Sequence, residues 1–392
     1  MTETQERSGS AVHPCVWHVG GENHQSRLPL MLKLRERGFQ IGAAGADDGQ
    51  VFAEHDIPYW RYSVTRSVAP LSDCRSLVQL YRLFSRHKPD IVHSFDSKPG
   101  VFATLAARKA GVAGRVRTVT GMGYVFSSSS ALTLALRPIC RCLERRASRA
   151  ANVTVFQNPD DQAYFRDHRM VSPGRDALVS GSGIDIEELL LCRPSDTVLT
   201  SLREQLGVNG RLVVTMIARL VRDKGVLEYF RAARVVRRHQ KDVRFLLVGP
   251  SSSEGRQAVG RAEINEYRTD VHCLGRRDDV PALLAVTDVF VLPSYYREGI
   301  PRVLMEAGAM GLPLITTDMP GCREVVKHGV NGLLVTPRDV EGLVKALTEL
   351  IRSERQRTSM GNAGRLYVRE RFDINKVADA YVEVYQRVLR EA

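Results

Sequence analysis

Short, continuously apolar runs alternate with helical segments along almost the whole chain, and that alternation admits few folds. In the first half the runs fall at 15–19, 39–44, 57–64, 91–95, 116–120, 153–157 and 178–180. Helical patterns separate them at 25–37, 71–87, 100–110, 131–150 and 160–167, and a Gly/Ser-rich loop occupies 121–130. The second half repeats the theme. Its runs fall at 212–217, 244–248, 271–274, 289–292, 314–316 and 332–335, with helices that include 226–239 and 340–351. Strands apolar on both faces and separated by helices form a parallel sheet covered on both sides. The 392 residues exceed one ordinary core. The prediction is an α/β protein of two doubly wound, Rossmann-like domains, at 12–187 and 205–371. A linker lies around 186–209, and an amphipathic helix over 375–390 occupies the closing segment 372–392. Ligands bind such sheets outside the strand carboxyl ends, so two of them leave a cleft.

The run at 289–292 leads into Ser294-Tyr295-Tyr296-Arg297-Glu298-Gly299-Ile300-Pro301-Arg302-Val303-Leu304-Met305-Glu306-Ala307. Proline suits a first helical position, where its missing N–H costs nothing, so a helix is expected to begin at Pro301. The backbone amides from Gly299 through Ile300, Val303 and Leu304 then form an anion site at the helix N-terminus. Glu298 sits in the turn and Glu306 about one and a half turns into the helix. Amides for a diphosphate and carboxylates for hydroxyls suit a sugar nucleotide. After the run at 212–217, Arg219 and Lys224 sit in a loop that ends at Gly225. Two fixed cations there would stabilise negative charge growing on a leaving diphosphate. Gly20-Gly21 ends the first run, and glycines let a backbone approach a phosphate.

With these residues in place the chain resembles the retaining glycosyltransferases of family 4, which have the GT-B fold. The signature is two glutamates with seven residues between them, set in strand, Pro-Ser, Glu-Gly-Ile-Pro and Met-Glu-Ala, with Gly311-Leu312-Pro313-Leu314-Ile315 as the next strand. The resemblance covers nearly the whole chain beyond residue 12. It implies that Glu298, Arg219 and Lys224 act at the reacting centre, and that Glu306 takes the ribose diol. Gly20, Gly21 and the backbone of Gly299, Ile300, Pro301, Val303 and Leu304 would complete the donor site. The segments His93-Ser94-Phe95-Asp96-Ser97-Lys98-Pro99-Gly100 and Thr118-Val119-Thr120-Gly121-Met122-Gly123-Tyr124 resemble a bacterial subgroup that extends sugars linked to polyprenyl diphosphate. That makes His93, Lys98, Thr120, Gly121, Gly123 and Tyr124 the acceptor-side candidates. Many family members carry histidine where Thr120 stands. The resemblance also implies no metal and no cofactor, and a C-terminal helix that crosses back to the first domain. Asn331-Gly332 and Glu324 match a later family motif and are assigned to support of the cleft.

Charge narrows the partners. Between Ser97 and Pro159 ten basic residues face a single acid, Glu144, a local balance of +9 within a total of +12. Such a block calls for an anionic surface. In the helix at 131–150, Leu136, Cys140, Leu143, Ala147 and Ala150 form one apolar stripe, and Arg137, Arg141, Arg145 and Arg149 recur every four residues opposite it. These arginines are the candidate contact with anionic headgroups of the inner membrane. Asn158-Pro159-Asp160-Asp161 and Asp185-x-Glu187 mimic metal motifs. Asp160 reads instead as a helix N-cap, and the metal prediction is none. Seven scattered cysteines indicate reduced thiols. Residues 1–11 are polar and read as a disordered tail rather than a secretion signal. No apolar run approaches a membrane span.

The sum is a cytoplasmic, peripherally membrane-bound hexosyltransferase of cell-surface polysaccharide synthesis. It would take a nucleotide sugar, with UDP favoured, and a lipid-diphosphate-linked saccharide. A GT-B nucleotide-sugar epimerase would share the cleft. A nucleic-acid-binding protein would share the charge, but no helix-turn-helix, RNP or zinc pattern is present.

Overall fold

The computed structural model describes residues 13–65, 69–127, 130–251 and 257–391. The tail expected over residues 1–11 lies outside them. Two parallel sheets organise the described residues. The first holds β1 (Cys15–Val19), β2 (Gln40–Gly45), β3 (Tyr59–Arg61), β4 (Ile91–Phe95), β5 (Gly114–Val119), β6 (Val153–Phe156) and β7 (Asp176–Leu178), in the order β3-β2-β1-β4-β5-β6-β7. The second holds β8 (Leu212–Ile217), β9 (Val243–Val248), β10 (Val271–Gly275), β11 (Val289–Leu292), β12 (Leu314–Thr317) and β13 (Gly332–Val335), in the order β10-β9-β8-β11-β12-β13. Each order reverses once, between β1 and β4 and between β8 and β11. Those are the topological switch points, where open α/β sheets leave a crevice.

The central strands β4, β6, β11 and β12 are buried throughout, which is why they read as unbroken apolar runs. The edges read less well. The run at 57–64 yields only Tyr59–Arg61, because Ile57 and Tyr62 sink into the core while the short strand pairs with β2 alone. The strand expected at 178–180 falls two residues earlier. The loop expected over 121–130 contains a short helix, Gly123–Ser127.

The linker expected at 186–209 contains two helices, Ile186–Leu191 and Asp196–Gln205. The Asp185 carboxylate accepts the Glu188 amide at 3.0 Å and caps the first. Leu199, Leu202 and Leu206 of the second pack against β8 and β9 residues, so the segment belongs to the second core.

The terminal helix Ile374–Glu391 packs against the first sheet, with Tyr381, Tyr385 and Val388 buried among Val16, Ile91 and Val116. Tyr385 Oη bonds His18 Nε2 at 2.9 Å and His93 Nδ1 at 2.6 Å. The eighteen residues of this helix therefore complete the core that the first strand begins.

Helix Ala131–Ala150 keeps only part of the expected inward stripe. Ala147 and Ala150 face inward as expected, joined by Thr133, Glu144 and Ser148, but Leu143 of that stripe is exposed, as are Leu132 and Ile139. The cause is Arg117 on β5, a fully buried guanidinium that pairs with Glu144. An unpaired buried charge is costly, so Glu144 must turn toward the sheet. Arg117 is thus lost from the surface charge of this block.

Candidate active site

The second domain places its chemistry at the β8/β11 switch point. β8 ends at Ile217 and delivers Arg219, exposed, and Lys224, which lies in a short 3-10 turn. β11 ends at Leu292 and delivers Ser294 and Glu298. The Lys224 ammonium forms an ion pair with Glu298 Oε1, and Ser294 Oγ donates to the same oxygen at 3.0 Å. Lys224 also lies 5.9 Å from the centre of the Tyr296 ring. Lysine and glutamate from strands far apart in sequence are held together at the sheet crest. A diphosphate arriving at Lys224 would have to share it with Glu298.

The helix begins at Arg302, with Pro301 as its N-cap rather than its first helical residue. The Leu304 amide already bonds the Pro301 carbonyl at 3.1 Å, so the amides left for an anion are those of Arg302 and Val303. Ile300 and Leu304 have buried side chains within the second core and offer a ligand only backbone. Glu306 is 16% exposed and takes the Arg302 Nε at 2.7 Å.

The first domain places a second cation–carboxylate pair at its own switch point. Asp96, just after β4, accepts from Arg27 Nη2 at 2.8 Å and from Thr120 Oγ1 at 2.9 Å, both on Oδ1. The Gly21 amide reaches Oδ2 at 3.4 Å. Burial by itself would raise the carboxyl pKa, but Arg27 first, then the Thr120 hydroxyl, hold it below the usual value. Asp96 stands at the N-cap of helix Ser97–Lys109 yet makes no cap bond, and its φ of 68° with ψ of 172° lies in a region that favours glycine. Such a conformation costs about 1–3 kcal/mol.

Several acceptor and donor candidates are corrected here. His93 is fully buried, bonded to Tyr385 and, through Nε2, to Thr118 Oγ1 at 2.7 Å. It is a core residue that seats the terminal helix and does not reach the cleft. The Gly20 amide is committed to the Ala44 carbonyl at 2.9 Å, and its carbonyl accepts from Tyr62. Gly20 therefore has no amide for a phosphate. Lys98 pairs with Asp73 at 2.7 Å, which ties it to helix Pro70–His87. Gly123 opens the short helix, and Tyr124 follows it; the Tyr124 side chain lies outside the described residues. Arg137 donates to the carbonyls of Val125 and Phe126, Arg141 to Tyr164 Oη and Arg145 to the His168 carbonyl. Those three are bonded within their own domain, whereas Arg149 is exposed. The cap of helix Pro159–Asp167 is Asn158, not Asp160. Asn331 is buried and bonds the Val325 carbonyl and the Lys327 amide, a structural role as expected.

The two crests meet at the turn that carries Glu298 and Gly299. Gly121 forms an antiparallel bridge with Glu298. A Cβ on Gly121, whose φ is +133°, would come within 2.9 Å of the Gly299 nitrogen, and one on Gly299 within 2.4 Å of the Thr120 carbonyl oxygen. Only glycines allow backbones this close. Asn158 Nδ2 donates to the Gly299 carbonyl at 3.2 Å, and Arg297 pairs at 2.8 Å with Asp161, which is fully buried. Sequence reasoning saw Asn158 and Asp161 only as part of a polar quartet whose Asp160 was read as the helix cap. A polar quartet ahead of a helix gives no sign that it serves the other domain. Asp96 was missed for the same reason, since an aspartate at a strand–helix junction reads as a cap.

The fold matches Anabaena HepE in complex with UDP-glucose over 96% of this chain and 100% of that one, with a TM-score of 0.78 at 20% identity. The architecture is therefore GT-B. The family model "Glycosyl transferases group 1" matches residues 200–367, and "Glycosyl transferase 4-like" matches residues 15–158. The chain belongs to these glycosyltransferases and is a hexosyltransferase-type enzyme. It is 28% identical to the Escherichia coli UDP-Gal:α-D-GlcNAc-diphosphoundecaprenol α-1,3-galactosyltransferase, covering 82% of each chain. It is 24% identical to the Campylobacter jejuni N,N'-diacetylbacillosaminyl-diphospho-undecaprenol α-1,3-N-acetylgalactosaminyltransferase, over 95% of this chain and 98% of that one.

Proposed function

We propose that this enzyme moves a sugar, with retention, from a UDP-sugar to a saccharide carried on a polyprenyl diphosphate, in polysaccharide biosynthesis. The observation that carries the reading is the Lys224–Glu298–Ser294 cluster beside the Arg302 helix terminus, in a chain whose relatives are named for diphosphoundecaprenol-linked acceptors. Arg219, Lys224 and the helix amides take charge that grows on the diphosphate as the glycosidic bond breaks. Glu298 faces the sugar, and the departing phosphate helps to deprotonate the acceptor hydroxyl on the same face. The epimerase alternative finds no support in the matched families or named relatives.

No metal is needed in this scheme, because cations and amides do its work. Turnover should therefore be unchanged in excess EDTA. The deciding experiment offers UDP-, GDP- and ADP-sugars with a short-chain isoprenyl-diphosphate saccharide and measures nucleotide release. Release without product, or an inverted linkage by NMR, overturns the reading.

Membrane association is part of the proposal, with its surface revised. No helix among the described residues is long and apolar enough to cross a membrane. Helix Ala131–Ala150 instead presents Leu132, Ile139 and Leu143 on one exposed side, at i, i+7 and i+11, with Arg146 and Arg149 exposed beside them. An apolar row flanked by cations suits an anionic bilayer surface at its cytoplasmic face. Co-sedimentation with anionic vesicles should weaken when Leu132, Ile139 and Leu143 are changed to serine, and should fall with salt on Arg146→Gln/Arg149→Gln to a smaller degree. Equal binding to neutral and anionic vesicles would remove the electrostatic part.

A further inference from the structure

The first domain's switch point carries a carboxylate for which neither helix capping nor core packing gives a use. Asp96 follows β4, between the Gly21 turn after β1 and Thr120 after β5, and β4 lies between those two strands in the sheet. It therefore stands in the crevice that the reversal of strand order opens. Aspartate at an N-cap ordinarily accepts an amide of the first helical turn; Asp96 forgoes that bond. Its Oδ1 is fixed by Arg27 and Thr120, while among the described residues Oδ2 has only the long contact from Gly21. The side chain keeps 32% of its surface exposed, against 11% for Arg27. The Thr120-Gly121 segment that holds it also bridges Glu298 across the cleft.

The chemistry of the ligand follows from the charge. An ionised carboxylate repels phosphate and accepts hydrogen bonds, so Oδ2 is suited to a hydroxyl. It stands on the domain opposite the Lys224–Glu298 donor cluster. We propose that Asp96 binds a hydroxyl of the acceptor saccharide, with Arg27 and Thr120 fixing the carboxylate so that Oδ2 faces the cleft. This rests on the glycosyltransferase reading and names an acceptor-binding residue for it.

The test uses the full chain with a UDP-sugar and a short-chain isoprenyl-diphosphate N-acetylglucosamine as acceptor probe. Asp96→Asn retains an oxygen for Arg27 and Thr120, tolerates the same backbone, and replaces Oδ2, with its long Gly21 contact, by a nitrogen that donates instead of accepting. It should raise the acceptor KM roughly tenfold or more, as expected when a charged hydrogen bond is lost, while the UDP Kd measured by calorimetry stays within about twofold. Thr120→Val, which loosens Oδ1, should raise the acceptor KM in the same direction by a smaller factor. An unchanged acceptor KM in Asp96→Asn overturns the assignment, and so does an equal weakening of UDP, which would move Asp96 to the donor. Intact UDP binding excludes misfolding as the cause of a loss. If the wild type binds UDP but transfers nothing to the probe, the acceptor reading falls and this assignment falls with it. If it transfers and the variant alone behaves normally, only the assignment falls.

Discussion

The two switch points are built alike but set their ion pairs differently. Each sets a cation supplied after its first strand against a carboxylate supplied after the strand beside it: Arg27 with Asp96, and Lys224 with Glu298. In the second domain the pair stands beside a helix N-terminus and a second glutamate, so positive character gathers where a diphosphate can lie. In the first domain the guanidinium is nearly enclosed, stacks 4.6 Å over Phe95 and holds a carboxylate that looks outward. On the proposed reading the same topology offers an anion site in one half and a hydroxyl site in the other. The difference lies in which partner of the pair stays accessible.

The largest expected effect tests the seam between the crests. Arg297→Ala leaves Asp161 buried without its partner, which costs about 3–5 kcal/mol. A urea titration should show that loss, and a change below about 1 kcal/mol would mean the seam does not hold the crests together. Next comes the anion site. Lys224→Ala and Arg219→Ala should each lower turnover by roughly a hundredfold or more at saturating donor, with little change in stability. Near-normal turnover in both variants would erase the functional contrast between the two pairs.

Glu306→Gln should raise the donor KM by about tenfold with kcat nearly kept, since the ribose contact is made in ground and transition states alike. A fall confined to kcat would place Glu306 at the reacting centre instead.

The smallest effect separates the halves by pH. His18, His24 and His93 are all buried in the first domain, whereas His239, His272 and His328 of the second are exposed. Burial drives the pKa of His18 and His93 well below normal and that of His24 to about 3. Below pH 6.5 the unfolded chain binds protons that the folded chain refuses, so stability is full above that pH and declines as pH falls. Each histidine should cost about 1 kcal/mol by pH 5.5. Hydrogen exchange should show the first sheet and helix Ile374–Glu391 loosening before the second sheet. Uniform loosening would refute the contrast.

Legibility followed burial and locality. The strands β8, β11 and β13 and the helix Val226–His239 stand where the apolar pattern put them, because a strand buried on both faces writes an unbroken run. The Glu298–Glu306 spacing, Arg219 and Lys224 were legible for a similar reason, since each is fixed by a short strand–turn–helix unit. The setting of helix Ala131–Ala150 was legible only in part. Ala147 and Ala150 of its apolar stripe are buried, but the Arg117 pair also brings Glu144 inward, and Leu143 of the stripe lies outside with Leu132 and Ile139.

The sequence by itself determined two parallel α/β domains, the donor-side motif and the family resemblance, because periodicity and short-range spacing are local properties. Only the tertiary structure decided that His93 belongs to the core beneath Tyr385, that Gly121 bridges Glu298, and that Asp96 is held by Arg27 rather than by its own helix. Those pairings join residues 69 to 292 positions apart. At that range the partner of a polar side chain is set by how strands order in the sheet and how the two sheets meet, which no local pattern records.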